Sequence, residues 1–137
     1  MALKLIAQGL ATLEAAYLER KGEYDLMRSN AKWSGAISHA GLLVELMLKR
    51  AICKHMGVSR LPKIFQTHDL ELLLYVSGQQ SSFDANPALK RNFEIINGRW
   101  SIDLRYQGPR SENESDVIDE ALFDKTNGVI TELEKHV

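Results

Sequence analysis

The sequence predicts an all-α fold, an antiparallel up-and-down bundle of about five helices, and three observations carry that reading. Apolar residues recur every three or four positions almost throughout, as the buried face of a helix requires. Gly57, Gly78 and Gly98 each follow such a run, where a left-handed residue commonly closes a last turn. Side chains suited to capping precede the later runs: Thr67 before Leu70, Asn86 before Pro87, and Ser111 three residues ahead of Glu114.

Taken in order, Ile6, Leu10, Leu13 and Tyr17 mark one face of a first helix. A second and longer helix is predicted from about Asn30 to Met56, with Trp33, Ile37, Val44, Leu48 and Ile52 in the same rhythm. At about 1.5 Å per residue it would span about 40 Å. Its further apolar residues Leu42, Leu43, Leu46 and Met47 fill a second stripe, so it should lie centrally and be covered on two sides. Small residues at Ser34, Gly35, Ser38 and Gly41 would admit a close neighbour. Leu70, Leu73, Leu74 and Tyr75 form a short third helix capped by Thr67, and Leu89, Phe93 and Ile96 line a fourth that opens on Pro87. The stretch from Gly78 to Ala85 reads as a flexible loop. A fifth helix of about 22 residues follows Ser111, with acidic residues crowding its first turns where the helix dipole favours them. From Gly98 to Pro109 the residues Trp100, Ile102, Leu104 and Tyr106 alternate with polar ones. With no partner strand in view, an extended arm across the bundle or a helical turn continuing from Asn97 is expected there rather than a sheet.

The 137 residues make one domain, residues 1–137, large enough to bury roughly two thirds of the surface of the unfolded chain. The apolar run Leu42 to Leu48 is interrupted by Glu45 and is far shorter than the roughly 20 residues a membrane span needs. Glu14 and Glu19 lie within the N-terminal apolar pattern, which argues against a signal peptide. Cys53 is the lone cysteine, so an internal disulfide or a multi-thiolate zinc site is excluded and a cytoplasmic setting is expected. No two histidines stand four apart, and no metal or cofactor is predicted. Net charge is −1, yet the first sixty residues carry nine basic and five acidic side chains, and residues 111–137 two and eight. That gradient fits either a basic binding face beside an acidic helix or two ends that neutralise one another on folding.

One combination of motifs goes further. The run Gly41-Leu42-Leu43-Val44-Glu45-Leu46-Met47-Leu48-Lys49-Arg50-Ala51-Ile52, a Gly57 stop, and then Thr67-His68-Asp69-Leu70-Glu71-Leu72-Leu73 resemble the HEPN superfamily (higher eukaryote and prokaryote nucleotide-binding domains). Trp100 with Arg105-Tyr106 resembles an Arg-Tyr element found in many of its members. The resemblance covers about residues 30 to 135. It implies a helical bundle that dimerises, and three kinds of activity: nucleotide or RNA binding, metal-independent endoribonuclease action as a toxin or defence effector, and non-catalytic partnership with a minimal nucleotidyltransferase. In the ribonucleases an Arg-x4-6-His motif meets its copy from a second subunit, the arginine neutralising phosphate and the histidine acting on the 2′-hydroxyl. No histidine follows Arg99 or Arg105 at that spacing; Leu104, Arg110 and Glu112 stand there instead. Arg50 and His55 do match it literally, but five residues turn a helix through about 140°, so their side chains diverge and the match is read as chance.

The expected function is therefore nucleotide or RNA binding without efficient ribonuclease activity, in a toxin–antitoxin or defence setting. Arg99, Arg105, Arg110, Lys90 and Arg91, with Tyr106 to stack a base, are the expected contact residues, because guanidinium groups fork onto phosphate oxygens. If the protein is an enzyme, His68 and Arg105 are the candidate catalytic residues. The duller reading makes Trp100 and Tyr106 packing residues and has His68 bond back to its own loop. Cys53 is expected to be a small core residue.

Overall fold

The computed structural model describes residues 8–100 and 108–137. Among them are seven α-helices and no strand: α1 (Leu10–Ser29), α2 (Trp33–Met56), α3 (Leu70–Val76), α4 (Gln80–Asp84), α5 (Pro87–Arg99), α6 (Glu112–Phe123) and α7 (Val129–Leu133). No described helix is long and apolar enough to cross a membrane.

The second helix is central, as its two apolar stripes predict. Ala36 to Cys53 contributes fourteen buried residues, including Leu43, Val44, Met47, Leu48 and Ile52, all essentially without solvent contact. α1 lies antiparallel along it: Met27 packs on Gly35, His39 Nε2 meets Glu23 at 2.8 Å, and Arg50 lies over the Tyr17 ring. α6 packs on α2 and reaches α1 through polar side chains. Tyr24 Oη donates to Asp119 at 2.7 Å, and Arg28 donates to Ser115 Oγ at 2.7 Å and to Asp116 at 3.1 Å. Part of the charge gradient is thus consumed inside the fold, because Arg28 of α1 docks on Asp116 and Asp119 of acidic α6.

The small residues of α2 make room for side chains rather than for a neighbouring backbone. A Cβ on Gly41 would fall 1.9 Å from the Trp100 ring, and Trp100 Nε1 donates to the Ser38 carbonyl at 3.0 Å. Trp100 is therefore anchored packing, as the duller reading had it.

Gly57 (φ +66°) and Gly78 (φ +80°) occupy the left-handed region and end α2 and α3, whereas α5 runs through Gly98 to Arg99. A glycine is permitted inside a helix at a cost of about 1 kcal/mol, so a Gly after an apolar run is a stop only where the chain must also turn. The Gly78–Ala85 stretch, expected to be loop, contains α4, which buries Phe83 edge-on against Phe93 at 5.9 Å. Asn86 and Ser111 cap as predicted, accepting from Leu89 N–H and Glu114 N–H. At α3 the capping carboxylate is that of Asp69, which accepts from Leu72 N–H at 3.1 Å, while Thr67 Oγ1 accepts from Asp69 N–H. The long last helix is divided into α6 and α7 by a turn in which Asp124 Oδ2 accepts from Thr126 N–H and Asn127 N–H.

Candidate functional site

Inside the apolar middle of α2 stand two charged side chains, one turn apart. Glu45 and Lys49 are each about 3 % exposed, and Lys49 Nζ donates to Glu45 Oε2 at 3.1 Å. The second carboxylate oxygen, Oε1, meets His68 Nδ1 at 2.6 Å. Burying a charge is costly unless it is paired and hydrogen-bonded, and this arrangement spends both carboxylate oxygens on cationic or N–H donors.

The loop entering α3 sets the histidine. Thr67 and Asp69 each take a backbone N–H, which fixes the turn on either side of His68. The imidazole closes the buried pair at the surface with its side chain 63 % exposed. Bonded to a carboxylate, Nδ1 carries the proton, so neutral His68 keeps Nε2 as a free acceptor. An oriented imidazole of this kind has the layout of a base with its positioning group. Because α3 begins at Leu70 with Asp69 as its cap, His68 belongs to the loop and not to the first turn of the helix.

Sequence reasoning found His68 but not its partners. Glu45 served as an interruption of an apolar run, and Lys49 as one residue of the run that carries the resemblance. Their four-residue spacing within that run was the available signal.

The predicted contact residues are not gathered into one lining among the described residues. Lys90 pairs with Asp84 at 3.3 Å and borders a cleft with Glu71, Phe83 and Glu94. Arg91 opens on a different cleft, beside Asn92, Glu120, Asp124 and Asn127. Arg99 is exposed on the last turn of α5, about 12 Å along the helix axis from Arg91. Arg110 donates to Glu114 Oε2 at 2.7 Å, and its backbone N–H donates to Ser34 Oγ at 2.8 Å. Arg105 and Tyr106 lie outside the described residues. The Arg50 and His55 side chains diverge, since α2 is continuous to Met56: Arg50 faces α1, and His55 packs against Gly78.

Other titratable groups have structural surroundings. Burial raises the thiol of Cys53, which is fully enclosed and sits in the core as expected. His39 is spanned by the Gly35 carbonyl and Glu23, and its hydrogen bond holds the Glu23 carboxyl below the usual carboxylate range. Among the described residues no three or more His, Cys, Asp or Glu side chains are grouped to hold a metal ion.

No protein family, curated protein or solved structure matches the chain.

Proposed function

We propose that this protein is a HEPN-like domain that binds a nucleotide or RNA through its phosphates, without efficient ribonuclease activity, and that it acts as a homodimer in a toxin–antitoxin or defence setting. One observation carries the reading. The two stretches that bear the resemblance, Glu45 to Lys49 and Thr67 to Leu70, are joined in space by the Glu45–His68 bond with Lys49 behind it. Short motifs that match by accident have no reason to share a buried polar contact. The exposed Arg99 stands at the end of α5, just ahead of the stretch holding Arg105 and Tyr106, and supplies the described part of a phosphate-binding edge. The missing histidine after both arginines argues against efficient cleavage.

The test is titration of the purified protein with labelled RNA, ATP and GTP across a salt series. Arg99→Ala and Arg105→Ala should weaken binding about equally for all RNA sequences and lower the salt slope by about one each. No binding to any of the three at moderate salt would overturn the proposal.

A second reading, a metal-independent endoribonuclease, is favoured by the held imidazole of His68 with its free Nε2. RNA cleavage by the wild-type protein that is lost in His68→Ala, and much reduced in Glu45→Gln with unchanged RNA affinity, would select it over the first.

A further inference from the structure

The C-terminal end of α2 is far from Arg110. His55 lies about 30 Å along the helix from Ser34, where Arg110 is tied. There α2 meets the turn after α3 and the last residues of the chain.

Lys54, His55, Gln79, Lys135 and His136 line a cleft of about 160 Å³, with Ala51 as its apolar member and no acidic side chain in the wall. The carboxylate next to it is occupied: Glu132 accepts from Lys135 Nζ at 2.9 Å and from His136 Nε2 at 3.4 Å. The hydrogen bond from Lys135, with a smaller contribution from that of His136, holds the Glu132 carboxyl below the usual carboxylate range. Lys54 Nζ has a weak 3.5 Å contact with the Val137 main-chain oxygen, at the limit of a hydrogen bond. The His55 ring fits where a side chain on Gly78 would collide with it, at 2.7 to 2.9 Å. The imidazole rests on Gly78 at an exposed position and makes no hydrogen bond to the described residues, so its ring nitrogens are open to a ligand.

Lys54 also borders a larger chamber of about 590 Å³, within the range of small-molecule sites. Leu10 and Val58 give it apolar walls, with Glu14 and Ser59 as polar members. Arg50 crosses its edge with a guanidinium 3.8 Å from Glu14, and its buried Nε has no hydrogen-bond partner.

We infer that this end of α2 is a binding site for a small phosphomonoester, with the phosphate on Lys54, His55, Lys135 and His136 and the less polar body in the chamber beside Arg50 and Val58. Lysine ammonium groups serve as point charges for phosphate oxygens, and the two imidazoles offer N–H donors. Lys54, common to the cleft and the chamber, sets the phosphate at the junction between them. The site is distinct from the Arg99 edge and does not depend on the nucleic-acid reading.

Calorimetric titration with phenyl phosphate, AMP and inorganic phosphate at one ionic strength tests it, with phenol and adenosine as dephosphorylated controls. Phenyl phosphate or AMP should bind at least tenfold more tightly than inorganic phosphate, and the two controls should not bind measurably. Lys54→Gln/Lys135→Gln, both at exposed positions, should lose at least tenfold in affinity while the ligand-free protein still melts cooperatively, its midpoint lowered by no more than the loss of the surface Lys135–Glu132 pair, and Lys54→Arg/Lys135→Arg should recover most of the affinity. Arg99→Ala should bind the phosphomonoester as the wild type does. Absence of millimolar binding, equal binding by the Gln variant, or an equal loss in Arg99→Ala would overturn the inference.

Discussion

At the scale of single residues, the buried pair on α2 is the feature whose removal should be most costly. Glu45 and Lys49 sit where apolar side chains would pack equally well, and they are tolerated because each satisfies the other. Glu45→Gln leaves an ammonium in the core without its counter-charge, and should cost about 3–5 kcal/mol in urea denaturation. Glu45→Met/Lys49→Met removes both charges and should restore most of that loss. His68→Ala, which trims a largely exposed side chain but leaves Glu45 Oε1 without its donor, should cost less, about 1–3 kcal/mol. A small effect of Glu45→Gln, comparable to that of His68→Ala, would mean that water reaches the pair in solution.

At the scale of elements, the turn between α6 and α7 depends on two residues. Asp124 ties down the N–H groups of Thr126 and Asn127, and Gly128 follows where a Cβ would lie 2.6 Å from the backbone of Asp124 and the Leu122 carbonyl. Backbone atoms cannot yield as a flexible side chain does. Gly128→Ala should therefore destabilise the fold by about 1–3 kcal/mol. Gly22, inside α1, has nothing within 4 Å of the same added atom, and Gly22→Ala should stabilise by about 0.4–1 kcal/mol. Thermal melts of the two variants beside the wild type check both signs. This turn also shows why the sequence reads as one long helix from Ser111. Ile118, Leu122, Val129, Ile130 and Leu133 are all buried, so the apolar rhythm continues across the break. Only the turn chemistry of Asp124, Thr126, Asn127 and Gly128 betrays it. Short α4 escaped for the opposite reason: five residues hold too little periodicity to be recognised, although Phe83 is its anchor.

At the scale of the whole molecule, pH should act from both ends. Burial pushes the Tyr17 phenol up to about 12, and burial together with the bond to Asp119 pushes Tyr24 higher still. An unfolded tyrosine ionises near pH 10, so the stability tied to these neutral phenols is intact below about pH 10 and is lost as pH rises through about 12. Glu23 and Glu132 are shifted the other way, by hydrogen bonds from His39 and from Lys135. Their contribution is present above their ordinary value of 4.5 and is lost as pH falls through the lower folded values. The urea midpoint should be level between about pH 5 and 9 and fall on both sides, the acid limb shrinking with salt because these carboxylates are only partly buried. Absorbance at the tyrosinate band should show at least one phenol ionising only as circular dichroism is lost. Complete titration of all tyrosines below pH 11 in a folded protein would contradict the enclosure of Tyr17 and Tyr24.

What the sequence determined by itself is local. Helical class, the central place of α2, the ends at Gly57 and Gly78, and the caps at Asn86 and Ser111 all follow from periodicity and hydrogen-bond chemistry spanning a few residues. What only the tertiary structure decided is which polar groups lose water and which partner they then find. Glu45 meets a histidine 23 positions away, Trp100 settles on a glycine of α2, and Lys90 and Arg91, neighbours in the chain, open on separate clefts. Burial depends on the elements that cover a side chain, and those arrive from distant parts of the chain, beyond the reach of any local pattern.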